Sequence, residues 1–127
     1  MEVKTDTKER FHVIRVLDPH LSANMAADLN SRFLALLKDK INNVVLNLHD
    51  VKSIDEEAAE ILVRSQQHFY ESGASFVICE LNKELESFLD EKELLELMNV
   101  TPTESEASDI VQMEEIERDL LDETDEV

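Results

Sequence analysis

The stretch "VVLNLHDVKSIDEEAAEIL", residues 44–62, joins two kinds of regular structure. Its first five residues are apolar except for Asn47, which predicts an interior strand in a sheet that helices cover. After a loop at residues 50–54, three carboxylates open a segment whose apolar residues recur at helical spacing. We therefore predict a helix over Glu56–Glu71, whose inward face consists of Ala58, Ile61, Leu62, Ser65 and Phe69.

The same alternation of strand and helix continues on both sides. Upstream, "FHVIRVL" at residues 11–17 is predicted to be the second arm of a hairpin, and Ser22–Lys38 is predicted to be an amphipathic helix. Downstream, the lone Gly73 is placed to end the second helix in a left-handed conformation, and "SFVIC" at residues 75–79 reads as another buried strand. This order predicts an α/β domain with a central mixed sheet of four to five strands, parallel pairings and about four helices.

The C-terminal third is predicted to be mainly helical. "NKELESFLDEKELLELM" gives one or two short helices, with Leu85, Phe88, Leu89, Leu94 and Leu95 directed inward. A last helix over residues 104–121 has an acidic outer face and an apolar stripe of Ala107, Ile110, Met113, Ile116 and Leu120. We expect a single domain over residues 1–121 and a flexible acidic tail over residues 122–127.

Charge narrows the class of partner. The net charge is −18, and residues 104–127 alone contain eleven acidic residues and one basic residue, a net charge of −10. Such a field repels nucleic acid and anionic membrane surfaces, so a protein partner with a basic or mixed face is favoured. The sequence has no apolar leader or spanning segment, and its one cysteine lies in an apolar run, which together predict a cytoplasmic protein with a buried thiol at Cys79.

A site built on histidine is disfavoured. His49 and Asp50, near Asp55, could form an acid/base or metal cluster, but the four histidines of the chain have no paired-ligand spacing. Solvated loop residues at the end of a strand are the better interpretation. Because the chain has one glycine, it also lacks a glycine-rich phosphate loop.

The carboxylates at residues 55–57 suit the start of a helix better than catalysis. Neighbouring residues in a first helical turn point in different directions, and no nucleophile converges on them. In that turn each carboxylate stabilises the helix dipole by about 0.3–1 kcal/mol. Either Asp55 caps the helix, or Ser53 does so and Glu56 returns the bond. We therefore predict no catalytic residue, no cofactor and no metal site.

Three segments together resemble the STAS domain, the sulfate-transporter and anti-sigma-factor-antagonist domain. They are "VVLNLHDVKSID" with the helix that follows, "SGASFVICELNKELESFL", and "VTPTESEA". The resemblance implies the STAS fold and places Asp55 at the family's aspartate. It also places Glu57 where bacterial antagonists have a hydroxyl that a partner kinase phosphorylates, with Glu56 before it. Ala58 and Glu60 stand at two family glycines, which is expected to reshape the docking surface.

The resemblance implies a non-enzymatic protein-interaction module like an anti-sigma factor antagonist, without its phosphorylatable residue. The partner would be an anti-sigma factor or another regulator with a basic face. Glu57 either mimics the phosphorylated state or marks the loss of the switch. Alternatives are an accessory subunit of a transport system and a small-ligand-binding domain. The implied partner-binding residues are Asn24, Asp55, Glu56, Glu57, Ala58, Glu60 and Arg64.

Overall fold

Seven strands and four α-helices follow one another in the computed structural model, which describes residues 1–125. A 3-10 turn at Leu95–Leu97 follows the third helix. The strands are β1 (Val3–Thr7), β2 (Phe11–Val16), β3 (His20–Leu21), β4 (Asn43–Asn47), β5 (Ser53–Ile54), β6 (Phe76–Cys79) and β7 (Val100–Thr101). The helices are α1 (Ala23–Leu37), α2 (Glu56–Glu71), α3 (Lys83–Glu91) and α4 (Glu104–Asp125).

The main sheet has the strand order β1-β2-β4-β6-β7. β1 pairs with β2 in antiparallel fashion, and the other three pairings are parallel, so the predicted mixed α/β sheet is confirmed. The central strands β4 and β6 are buried along their whole length, so both of their faces are covered, because successive residues of a strand point to opposite sides. In β4, Val44 and Leu46 enter a larger core with α1, α2 and α3, whereas Val45 enters a smaller core with α4.

Three aromatic rings lie at the centre of the larger core. Phe33 of α1, Phe69 of α2 and Phe76 of β6 are fully buried and meet edge to face, with ring centroids 4.8–6.3 Å apart. This geometry suits the quadrupoles of the rings and adds to the free energy gained by burying them. These contacts therefore fix α1 and α2 to each other and to the sheet.

A second, two-stranded sheet was not predicted. β3 pairs with β5 in parallel, with His20 opposite Ser53 and Leu21 opposite Ile54. β5 lies inside residues 50–54, which the sequence predicted to be a loop. Two-residue strands are too short to show an alternating pattern. This small sheet brings the first residues of α1 beside the first residues of α2.

The end of α2 agrees with the prediction from the sequence, and the end of α4 differs from it. Gly73 follows α2 with φ +78°, which confirms the predicted left-handed stop. α4 continues to Asp125 rather than ending at Leu121. The remaining residues of the predicted tail, 126–127, lie outside the described residues.

The predicted inward stripe of α4 is correct only in its first part. Ala107 is buried, and Ile110 packs partly buried against the smaller core, but Val111 takes the next inward position. Met113, Ile116 and Leu120 are 48–58% exposed, so their predicted core position is wrong. Within residues 1–125, no helix combines the length and the apolar character needed to cross a membrane.

Candidate functional site

The first turn of α2 carries an exposed row of charged side chains. Glu56 and Glu57 are both exposed in this turn, where their charges favour the positive end of the helix dipole. Glu60 and Arg64 follow at four-residue intervals and are also exposed. Residues four apart on a helix lie on the same side. Glu56, Glu60 and Arg64 therefore form one ridge, with Glu57 beside it, and we call these four residues the α2 ridge.

Asp55 occupies the N-cap position of α2, but its carboxylate does not cap that helix. Its Oδ2 accepts a hydrogen bond from the backbone N–H of Ala23 in α1 at 3.2 Å, and its Oδ1 lies 3.0 Å from Nε2 of His20. Asp55 thus stabilises the positive end of the neighbouring helix and links the starts of α1 and α2. The predicted side-chain cap by Asp55 is wrong.

The alternative cap by Ser53 is also wrong. Ser53 lies in β5, and its Oγ is 2.7 Å from Nδ1 of His20. His20 therefore bridges Ser53 and Asp55 through its two ring nitrogens. The pairing of β3 with β5 creates this bridge, because it places His20 directly opposite Ser53.

The remaining predicted contact residues separate into exposed and buried groups. Asn24 is exposed as the second residue of α1, directly after the Ala23 amide that Asp55 binds. Ala58, in contrast, is 0% exposed and belongs to the larger core. Its methyl group cannot reshape a docking surface, because it points toward the sheet side of α2. That part of the predicted contact set is therefore corrected.

A groove of about 510 Å³ between α1 and α2 adjoins the α2 ridge at Arg64. Its walls combine the apolar side chains of Leu34 and Ile61 with the polar side chains of Asn30 and His68. Ser65 donates a 2.7 Å hydrogen bond to Oδ1 of Asn30 and so connects the two helices beneath it. The groove residues of α1 were not predicted, because sequence periodicity does not show which two helices are adjacent.

The residues of the histidine cluster suggested near β4 contact other partners instead of one another. Asp50 instead accepts two hydrogen bonds from Arg15, at 2.9 and 3.1 Å, and this guanidinium lowers the pKa of Asp50. His49 lies 3.4 Å from a carboxylate oxygen of Glu80, and the histidine that Asp55 contacts is His20. Among the described residues, no group of three metal-ligating side chains is close enough to hold an ion.

Cys79 is buried at the end of β6, as predicted. Burial, together with the nearby carboxylates of Glu80 and Glu104, raises the pKa of the Cys79 thiol to about 12. A thiol in this state is not a nucleophile at neutral pH, because the thiolate is the reactive form.

The sequence pattern of the STAS domain matches residues 2–107, which is most of the chain. The chain belongs to the STAS domain family. No match to a curated protein sequence was found.

Solved structures agree with this assignment at the level of the fold. A Thermotoga maritima protein assigned as an anti-sigma factor antagonist has 23% identity and a TM-score of 0.71, over 87% of this chain and 94% of its own. An anti-sigma factor antagonist from Mycobacterium paratuberculosis has 15% identity and a TM-score of 0.73, over 87% and 93%. Part of a murine anion transporter, solute carrier 26 family member A9, has 12% identity and a TM-score of 0.65, over 82% of this chain and 18% of the transporter. This chain thus has the fold of anti-sigma factor antagonists.

Proposed function

We propose that this STAS domain is a cytoplasmic, non-enzymatic interaction module of bacterial transcription regulation, of the anti-sigma factor antagonist type. Its contact surface is the α2 ridge together with Asn24 at the start of α1. The observation that carries this proposal is the double link from Asp55 to Ala23 and His20, which holds the starts of α1 and α2 as one rigid surface. A preorganised surface loses less conformational entropy when a partner binds.

The fixed charge at Glu57 sets the regulation of this module apart from that of a phosphorylated antagonist. A glutamate has one negative charge and two oxygens, whereas a phosphoserine has about −1.5 to −2 charges and three oxygens. Glu57 cannot accept a phosphate in the way a hydroxyl does. We therefore infer that phosphorylation at this position does not regulate the binding of a partner.

The charge of the surface indicates the chemistry of the partner. Three of the four residues of the α2 ridge are acidic, and the whole chain has a net charge of −18. A partner that approaches this ridge needs lysine or arginine side chains opposite Glu56, Glu57 and Glu60. Such complementarity speeds association and selects against acidic competitors.

Matched charge substitutions on two helices test the proposed surface. The full chain is used to isolate its partner from native cell extract, and affinities are then measured with the purified partner by calorimetry. Glu56→Gln/Glu57→Gln is compared with Glu84→Gln/Glu86→Gln, because both pairs are exposed acids in the first turn of a helix. We expect about tenfold weaker binding for the α2 pair and a change below about twofold for the α3 pair. Equal affinities for the two variants would place the interface elsewhere.

A second experiment distinguishes mimicry of phosphate from loss of the switch. Glu57→Ser restores an exposed hydroxyl at the family position, and this variant is incubated with a candidate anti-sigma factor kinase and ATP. Transfer of phosphate to residue 57, followed by release, would mean that the native protein is fixed in a phosphate-like state. Absence of transfer would mean that this surface has changed its partner.

An accessory role in a transport system is the second candidate function. The observation that favours it is the similarity of the chain's fold to part of an anion transporter. The same isolation experiment separates the two candidates, because the co-purifying protein is then a membrane transporter rather than a transcription regulator.

A further inference from the structure

The outer face of α4 displays large apolar side chains to solvent. Met113 is 58% and Ile116 is 48% exposed, while Ala107 and Val111 of the same helix are fully buried. The spacing of Met113 and Ile116 is that of neighbouring positions along one side of a helix. These exposed residues lie beyond residues 2–107, which match the STAS domain, so the family fold does not account for them.

Polar contacts fix the rotation of α4, so this apolar face cannot turn inward. Arg118 donates hydrogen bonds to Oγ of Ser75 at 2.9 Å and to Oδ1 of Asn43 at 3.1 Å. Glu114 accepts a 2.9 Å hydrogen bond from the hydroxyl of Tyr70. Turning the helix to bury Met113 would break these bonds and expose Val111 in exchange.

The charge around this face determines what can cover it. Residues 104–127 have a net charge of −10, and their one basic side chain, Arg118, already bonds Ser75 and Asn43. Asp109, Glu117 and Asp119 are all exposed on α4. A second copy of this chain would bring two strongly negative helices together, which Coulomb repulsion disfavours. A partner with an apolar stripe between lysine or arginine side chains satisfies both the apolar and the acidic groups.

We propose that the outer face of α4, centred on Met113 and Ile116, docks an amphipathic basic helix of a partner protein. Helices with apolar residues at this spacing pair side by side, and flanking opposite charges select the partner. This surface is independent of the α2 ridge, since α2 and α4 pack on opposite faces of the sheet. One chain can therefore engage two partners at once.

Designed peptides test this proposal on the full chain. The probe is a labelled amphipathic helix of three heptads with leucine at the two core positions and lysine at the flanking positions, and its counterpart has glutamate there instead. Binding is measured by fluorescence anisotropy for the native chain and for Met113→Gln/Ile116→Gln. The matched control is Leu17→Gln/Leu97→Gln, which removes two exposed leucines outside α4, at 39% and 54% exposure.

We expect the lysine peptide to bind and the glutamate peptide to fail. Met113→Gln/Ile116→Gln should weaken binding of the lysine peptide by at least about tenfold, and the control variant should change it by less than about twofold. Because the substituted side chains are exposed, circular dichroism and melting temperature should stay unchanged. Failure of the lysine peptide to bind, or equal binding to both variants, overturns the proposal. So does a native dimer in sedimentation velocity that Met113→Gln/Ile116→Gln dissociates, because a second copy would then occupy the face.

Discussion

Replacing Glu93 with glycine is expected to stabilise this protein. Glu93 follows the end of α3 with φ +61°, a left-handed conformation that side chains with a Cβ rarely adopt. Two hydrogen bonds hold it there, from the N–H of Glu93 to the carbonyl of Asp90 at 3.0 Å and from the N–H of Leu94 to the carbonyl of Leu89 at 2.9 Å. α2 ends with the same pair of bonds, but with Gly73 at the left-handed position.

The expected change in the free energy of unfolding combines the relief of backbone strain, the added conformational entropy of glycine and the loss of a charge. The left-handed conformation costs a residue other than glycine about 1–2 kcal/mol. A glycine loses about 0.5–1 kcal/mol more conformational free energy on folding. Removing a carboxylate from the negative end of a helix adds about 0.3 kcal/mol to the free energy of unfolding. The expected gain in the free energy of unfolding is about 1 kcal/mol, which raises the melting temperature by about 4 °C in a domain of this size.

Urea and thermal unfolding, followed by circular dichroism, measure this gain. Glu93→Gln isolates the contribution of the charge, because it keeps the Cβ and the left-handed strain. Gly73→Gln is the reverse substitution and should cost about 1 kcal/mol. An added Cβ at Gly73 would meet no atom within 4 Å, so this cost is purely conformational. If Glu93→Gly proves no more stable than Glu93→Gln, the strain attributed to this position does not exist.

Three further outcomes are expected. Glu80→Gly relieves a second left-handed residue, φ +61°, but it removes a carboxylate that accepts two hydrogen bonds, so urea unfolding should show a net loss of about 1 kcal/mol. Gln66→Leu leaves the backbone N–H of Asn99 without its buried acceptor and should lower the free energy of unfolding by about 1–3 kcal/mol in the same assay. The matched change at an exposed position, Gln67→Leu, should alter it by no more than about 0.5 kcal/mol. Cys79, with its pKa raised to about 12, should resist iodoacetamide at neutral pH until urea unfolds the chain; rapid labelling of the folded protein would contradict its burial.

The alternation of β4, α2 and β6 could be predicted because it depends on local rules. A run such as "VVLNL" is short, rich in β-branched residues and has no polar face, which favours an interior strand. Gly73 could be predicted to end α2 because glycine adopts the left-handed conformation without a Cβ penalty. Glu93 stops α3 in the same conformation and was missed, because glutamate gives no such signal.

The arrangement of the candidate site could be predicted only in part. Exposure of Glu56 and Glu57 follows from their place in a first helical turn. The contact of Asp55 with Ala23 does not, since it joins residues 32 apart in the chain. That contact depends on the pairing of β3 with β5. Strands of two residues are too short to show an alternating pattern of apolar residues in the sequence. The buried position of Ala58 agrees with the inward face predicted from periodicity, whereas the family resemblance placed Ala58 on the contact surface.

The sequence by itself determined the order of the helices and of the strands of the main sheet, the mixed α/β class and the acidic character of the chain, because periodicity and composition are local properties. Only the tertiary structure decided which side of α4 is inside. Periodicity finds an apolar stripe through Met113 and Ile116, but hydrogen bonds from Arg118 to Ser75 and Asn43 fix the rotation of the helix. Ala107 and Val111 of α4 therefore pack on the sheet, and Met113 and Ile116 remain in solvent. Burial depends on partners that are distant in sequence, and no local pattern specifies them.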